Sequence, residues 1–268
     1  MNDLLRAVIL GLVEGATEFL PVSSTGHLIV VGEWLGFTGP RAATFEIFIQ
    51  LGAILAIAWL YRGRLWQTAR AMGRDPAATR LAFNLVLAFL PAAVVGLALH
   101  DVIKATLFTT RVVAASLVAG GVAILAIERW RRETRVPALE QLAPRTAFGI
   151  GLAQVLSLVP GTSRSGATIM GAYALGLSRV AATEFSFFLA IPVMVAATGF
   201  DLLDSMGTLT AADIPVFAVG FVTAFASAVV VVRAFLAFVS RRSFVPFAWY
   251  RIAFGLLLLA LEGTAGRG

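Results

Sequence analysis

Long apolar runs follow one another along this chain, separated by short arginine-rich segments, and none of the runs shows the period-two alternation of a membrane-spanning β-strand. Six runs come close to the ~20 residues that a helix needs to cross a bilayer: 45–60, 81–99, 112–127, 185–200, 214–232 and 244–261. Two further regions, about 4–36 and about 146–177, are apolar but broken in the middle by proline and a Ser/Thr/Gly cluster. In the first of them the runs 7–13 and 28–35 are each too short to span. Interrupted segments in corresponding places of two halves point to a buried site. The pattern predicts an all-α integral membrane protein with about six transmembrane helices plus two re-entrant helix-loop-helix hairpins.

The same order, a broken pair and then three spans, occurs twice. At an offset of 140 residues Gly11 and Leu12 fall on Gly151 and Leu152, Ser23 on Ser163, Gly26 on Gly166, and Phe45 and Phe48 on Phe185 and Phe188. Glu14 falls opposite Gln154, and Ser24 opposite Arg164. These matches predict a single membrane domain, 1–268, with repeat halves 1–130 and 145–268. Segment 62–80 carries Arg62, Arg64, Arg70, Arg74 and Arg80, and 129–145 carries Arg129, Arg131, Arg132, Arg135 and Arg145. Arg179, Arg241 and Arg242 mark further loops on that side, whereas 100–111 and 201–213 mix Lys104 and Arg111 with Asp101, Asp201, Asp204 and Asp213. The arginine-rich loops are expected in the cytoplasm. Three spans per half is an odd number, so the repeat is expected to be inverted, with the two hairpins entering from opposite sides and their tips meeting inside the protein.

Composition agrees with the pattern. Of 268 residues, 59% are hydrophobic and 13% charged, against about a quarter charged in soluble domains. The net charge of +6 sits in the loops and is not a nucleic-acid signal. The absence of cysteine excludes disulfides, thiolate catalysis and Cys-ligated metals. The first apolar run lacks a small-residue cleavage site, so no cleaved signal peptide is expected.

Candidate chemistry lies in the two breaks. The first reads Glu14-Gly-Ala-Thr-Glu-Phe-Leu-Pro-Val-Ser-Ser-Thr-Gly-His27, which holds ionisable groups at membrane depth, where their default reading is functional. Glu14 and Glu18, four apart, share a helical face and suit a hard divalent cation, Mg²⁺ or Ca²⁺, whose shell phosphate oxygens would complete. Pro21 stops a helix, and Ser23, Ser24 and Thr25 can cap the next one from Gly26 onward, whose buried N-terminus is an anion site. Ser24 is the candidate nucleophile or phosphate contact. His27, three positions on, can bring its ring near that hydroxyl or the bound phosphate for proton transfer. The second break, Pro160-Gly-Thr-Ser-Arg-Ser-Gly166, brackets Arg164, whose planar fork fits a phosphate bidentately; its alternative role is an ion pair with Glu14 or Glu18. Thr162, Ser163, Ser165 and Gly166 read as cap and anion-nest groups. Glu46 and Gln50 are expected behind the site, Glu184 near a solvated helix end, His100 without a role, and Arg251 snorkelling to the cytoplasmic surface. These parts suit phosphoryl transfer, and a site inside the membrane suits a lipid phosphate.

Taken together, the two motifs resemble those of the bacterial undecaprenyl-diphosphate phosphatase family, also called bacitracin-resistance protein, over the whole chain and with no departure at the polar positions. The resemblance implies removal of one phosphate from the prenyl diphosphate lipid, which yields the carrier lipid of cell-wall synthesis. It also implies an inner-membrane protein with its active site open to the periplasm and a required divalent cation. Glu14 and Glu18 are implied in metal or acid–base roles, Ser24 and His27 in the attack on phosphorus, and Arg164 on the phosphate. A homodimer follows from the resemblance alone. The principal alternative is a lipid-phosphate flippase or transporter, which needs no Ser–His pair and no obligatory metal; a cation channel lined by Glu14, Glu18 and Glu46 is disfavoured by Arg164.

Overall fold

The computed structural model describes residues 1–131, 134–205, 210 and 213–265; Arg132 of the expected charge cluster lies outside them. The described residues form α1 (Asp3–Thr17), α2 (Ser24–Leu35), α3 (Pro40–Leu60), α4 (Arg62–Ala71), α5 (Pro76–Leu107), α6 (Thr110–Trp130), α7 (Pro144–Val155), α8 (Arg164–Ala174), α9 (Arg179–Ser205), α10 (Ile214–Val239) and α11 (Val245–Ala265). Among them β pairing is limited to one isolated bridge, Val136 with Leu177.

Among the described residues six helices are long and apolar enough to cross a membrane, over Pro40–Leu60, Pro76–Ile103, Thr110–Trp130, Arg179–Gly199, Ile214–Val239 and Val245–Glu262. They correspond one to one with the six predicted runs, but most extend beyond them. Hydropathy ends where side chains turn polar, whereas a helix ends where its backbone groups find other partners. Thus α5 starts five residues before its apolar run, because Asp75 accepts from the Ala77 N–H at 3.0 Å and Pro76 has the φ a first turn needs. Thr109 caps α6 in the same way, accepting from the Val112 N–H at 3.3 Å. Helix α4 lies within what the charge pattern marks as a loop. Its arginines and alanines are good helix formers, none of its residues is buried, and Arg64 reaches Glu140 at 2.6 Å and Glu184 at 3.1 Å.

The short helices fill the centre. At 15, 12, 12 and 11 residues, α1, α2, α7 and α8 each fall short of a bilayer. Helix α1 lies along α10, α7 along α5, and α6 along α11. Small residues set these approaches: a Cβ on Gly11 would stand 2.6 Å from the Gly220 carbonyl, and one on Gly151 the same distance from that of Ala88. Close backbone packing of this kind is what holds helices together where lipid supplies no hydrophobic driving force. Between the pairs, Phe19 meets Phe187 edge-on at 5.5 Å in a core that also buries Phe185, Phe188, Phe235 and Phe244.

Candidate active site

Both chain breaks turn in the same manner. Ser23 (φ 69°) and Ser163 (φ 73°) are the non-glycine residues with positive φ among those described, each immediately precedes a short helix, and they are 140 positions apart. A left-handed serine costs about 1–3 kcal/mol and persists only when its surroundings enforce it. Here the turn aims the next side chain, Ser24 in one loop and Arg164 in the other, into the interior. Ser163 Oγ accepts from the Gly166 N–H at 3.0 Å as a helix cap, as its sequence position suggests. Ser165 Oγ donates to the Leu20 carbonyl at 2.7 Å, so the hydrogen between Ser163 and Ser165 (3.0 Å) comes from Ser163. The second loop is thereby fastened to the first. Gly161 (φ 87°) passes against Val113, where a Cβ would collide with that carbonyl.

Glu18 joins the loops chemically. Ser24 Oγ donates to its Oε2 at 2.5 Å, and Arg164 Nη2 donates to its Oε1 at 3.0 Å. The ion pair is largely out of solvent, with side-chain exposures of 9% for Glu18 and 11% for Arg164. The guanidinium is held further by the Ser186 carbonyl at 3.0 Å, lies beside Met194 Sδ, and keeps a buried Nε–H without a partner. A hydroxyl, a carboxylate and a guanidinium thus form one connected chain across a sequence separation of 146 residues. The Arg164–Glu18 pair is one of the two roles the sequence left open for this arginine, and the free Nε–H keeps a donor for an anion.

Neither ring nitrogen of His27 is hydrogen-bonded to Ser24. Its Nδ1 donates to the Ser23 carbonyl at 2.7 Å, and its Nε2 lies 2.5 Å from Tyr250 Oη. A carbonyl only accepts, so Nδ1 carries a proton, and in the neutral ring the tyrosine hydroxyl donates to Nε2. The expected Ser24–His27 pair is therefore corrected to Ser24–Glu18: a histidine on the first turn of a helix can reach back to the carbonyl four residues earlier, and that local bond outcompetes the hydroxyl. Its ring also stacks on Phe254, centroids 4.5 Å apart. Tyr250 and Phe254 belong to α11 and are invisible in the motif.

Glu14 is wholly buried, and neither of its carboxylate oxygens has a hydrogen-bond partner. Glu18 and Glu46 are the like charges acting on it. Among the described residues no three His, Asp or Glu side chains cluster as a metal site. Both oxygens of Glu18 accept a hydrogen bond, whereas those of Glu14 accept none. Thr25 and Thr162 are half-buried at the two loops, and Gly26 packs α2 against Val113 and Leu117 of α6.

Arg251 overturns the expectation of snorkelling. It is 1% exposed and donates to five backbone carbonyls: Pro21 at 3.1 Å, Gly161 at 3.1 Å, Thr162 at 2.9 Å, Ser116 at 3.1 Å and Leu117 at 3.3 Å. Three of these carbonyls belong to the two loops. One guanidinium therefore clips both turns to α6, in a region where the loop backbone has no helical partners. An arginine in an apolar span with no acidic residue nearby on its own helix was the available signal.

The family model described as Bacitracin resistance protein BacA matches residues 7–257. The chain belongs to this family. Relatives named undecaprenyl-diphosphatase agree along nearly its whole length. That of Ectopseudomonas mendocina is 51% identical over 95% of this chain and 92% of its own. That of Nitratidesulfovibrio vulgaris (strain DP4) is 53% identical over 96% and 98%. One named undecaprenyl-diphosphatase 2, from Paramagnetospirillum magneticum, is 52% identical over 96% and 98%. The BacA family match spans both loops and the α11 segment that supplies Tyr250 and Arg251.

Proposed function

We propose that this chain hydrolyses undecaprenyl diphosphate to the monophosphate and inorganic phosphate, with Ser24, Glu18 and Arg164 as its reacting centre. The observation that carries the reading is the single buried carboxylate shared by the Ser24 hydroxyl and the Arg164 guanidinium. As Ser24 Oγ bonds to the terminal phosphorus, its proton passes to Glu18 Oε2. The phosphoanhydride bond breaks, and the lipid monophosphate leaves with the electron pair. Arg164 holds the equatorial oxygens, and water then cleaves the phosphoserine. The N–H groups that open α2 and α8 face the same anion. Support for two hairpins entering from opposite sides comes from the four short helices and from the matched Ser23 and Ser163 turns. The arginine-rich loops support an orientation with those loops in the cytoplasm of a bacterial inner membrane, and the family resemblance supports a site that opens to the periplasm.

The test is phosphate release from farnesyl or undecaprenyl diphosphate by the detergent-purified protein, where transport is impossible. Release identifies a hydrolase, and its absence from folded protein would leave the lipid-phosphate transporter. The unpaired oxygens of Glu14 fit a divalent cation, Mg²⁺ or Ca²⁺, with phosphate oxygens completing its shell. Such an ion supplies charge neutralisation on the diphosphate. EDTA, or Glu14→Gln, is expected to lower the rate about 100-fold or more, and Mg²⁺ or Ca²⁺ should restore only the EDTA-treated wild type. Full activity in EDTA would remove the cation from the reading.

Tyr250→Phe takes the donor from His27 Nε2 but leaves the Ser24–Glu18 contact intact. We expect kcat to fall about tenfold with KM nearly unchanged. A loss as deep as that of Ser24→Ala would instead put Tyr250 and His27 in direct contact with the reacting phosphate.

A further inference from the structure

The pairing of α3 with α10 has no equal in its counterpart, the pairing of α9 with α5. Helix α10 lies close along α3, with Gly52 against the Phe221 carbonyl and Gly220 against the Phe45 ring. Helix α5 holds the same place in the first half as α10 in the second, yet it meets α9 only lightly, and Gly199 of α9 faces open space. The gap is a crevice of about 380 Å³ walled by Phe89, Ala93 and Gly96 of α5, Val193 and Ala196 of α9, and Leu158. That volume is within the range of small-molecule sites. Gln154 also lines it, fully buried, with neither amide atom partnered.

Helix α9 runs from the reacting centre to the crevice. Ser186, whose carbonyl holds Arg164, shares a stripe of α9 with Val193 and Ala197, seven and eleven residues on. Met194, beside Val193, touches the Arg164 guanidinium. From Ser186 to Ala197 the stripe runs about 16 Å at 1.5 Å per residue, enough for roughly three extended isoprene units.

We propose that the α5–α9 crevice seats the first isoprene units of the substrate chain while the diphosphate lies at Arg164. The inference rests on the phosphatase reading for its occupant. It assigns chain-length selectivity to Gly96 and Ala196, which touch no reacting group. A Cβ on Gly96 would meet only the Leu158 side chain, at 3.3 Å, so a larger residue there projects into the crevice.

The test compares isopentenyl diphosphate, with one unit, and farnesyl diphosphate, with three, on the full-length purified protein. The wild type should show a higher kcat/KM on farnesyl diphosphate. Gly96→Phe and Ala196→Phe should each cut that advantage about tenfold or more, while activity on isopentenyl diphosphate stays within about twofold. An unchanged ratio, or equal losses on both substrates, would overturn the proposal. A second readout does not need turnover. A benzophenone-bearing farnesyl diphosphate should photolabel residues within 89–103 and 193–197. Labelling confined to other helices would overturn the crevice even in an active enzyme; labelling there by a protein that releases no phosphate would sink the phosphatase reading and keep the crevice.

Discussion

Glu18→Gln is expected to lower kcat/KM for a prenyl diphosphate by about 10³-fold or more, a deeper loss than either His27→Gln or Tyr250→Phe. Two effects combine. The Ser24 hydroxyl hands its hydrogen to Glu18 Oε2 at 2.5 Å, and an amide can accept that hydrogen bond without taking the proton. General-base catalysis of this kind is worth about 10²–10⁴-fold. The second effect is electrostatic: Arg164, its guanidinium 3.0 Å from the same carboxylate, loses its counter-charge in a place with little solvent. Ser24→Ala should be about as damaging, because it removes the oxygen that the proposed mechanism bonds to phosphorus. Since the two groups act as one unit, the double variant should be barely worse than either single one. The measurement is phosphate release under single-turnover conditions, with thermal unfolding in detergent as a control for folding. Retention of more than a tenth of the activity by Glu18→Gln, beside an inactive Ser24→Ala, would move the base elsewhere. Glu14, with two unpartnered oxygens, would then be the first place to look.

The fold was largely legible because hydropathy over a span is a sum of many residues and tolerates local error. All six spans came out in order, and the two broken regions lie where α1–α2 and α7–α8 stand. The helix ends were not legible, since a cap depends on one side chain such as Asp75 rather than on average composition. In the two loops, motif spacing singled out Glu18, Ser24, His27 and Arg164, but not which pairs form. Spacing places His27 near Ser24 on one helix; it is silent on the Ser23 carbonyl that competes for the ring. It placed Glu14 and Glu18 alike, although only Glu18 reaches Ser24. Tyr250 is 223 residues from His27, and no local pattern connects α11 to a motif at the other end of the chain. Contacts made by tertiary approach have no period for a sequence to display.

Arg251 shows that limit most sharply, and replacing it should have the largest effect on stability. Arg251→Met leaves the Pro21, Gly161 and Thr162 carbonyls without their donor in the interior. Each unpaired buried carbonyl costs about 1–3 kcal/mol. After some relaxation we expect a loss of roughly 3–5 kcal/mol, read as a fall of about 10 °C in the unfolding temperature in detergent. Activity should fall further than stability alone explains, because the clip fixes the turns that aim Ser24 and Arg164, and misplacement by about 1 Å can cost 10²-fold. Arg251→Lys keeps the charge but has three donors for five acceptors, so it should recover about half of the stability. Should Arg251→Met fail to accumulate in the membrane, Gly120→Ala asks the same question with the charge kept. A Cβ at Gly120 collides with the Arg251 guanidinium, which must then release some of its carbonyls. Loss of activity in a Gly120→Ala protein that remains folded would mark Arg251 as a positioning residue for both loops. Full activity with an unchanged unfolding temperature would mean that the loops hold their shape without it, and that the bonds from Ser165 to Leu20 and from Arg164 to Glu18 suffice.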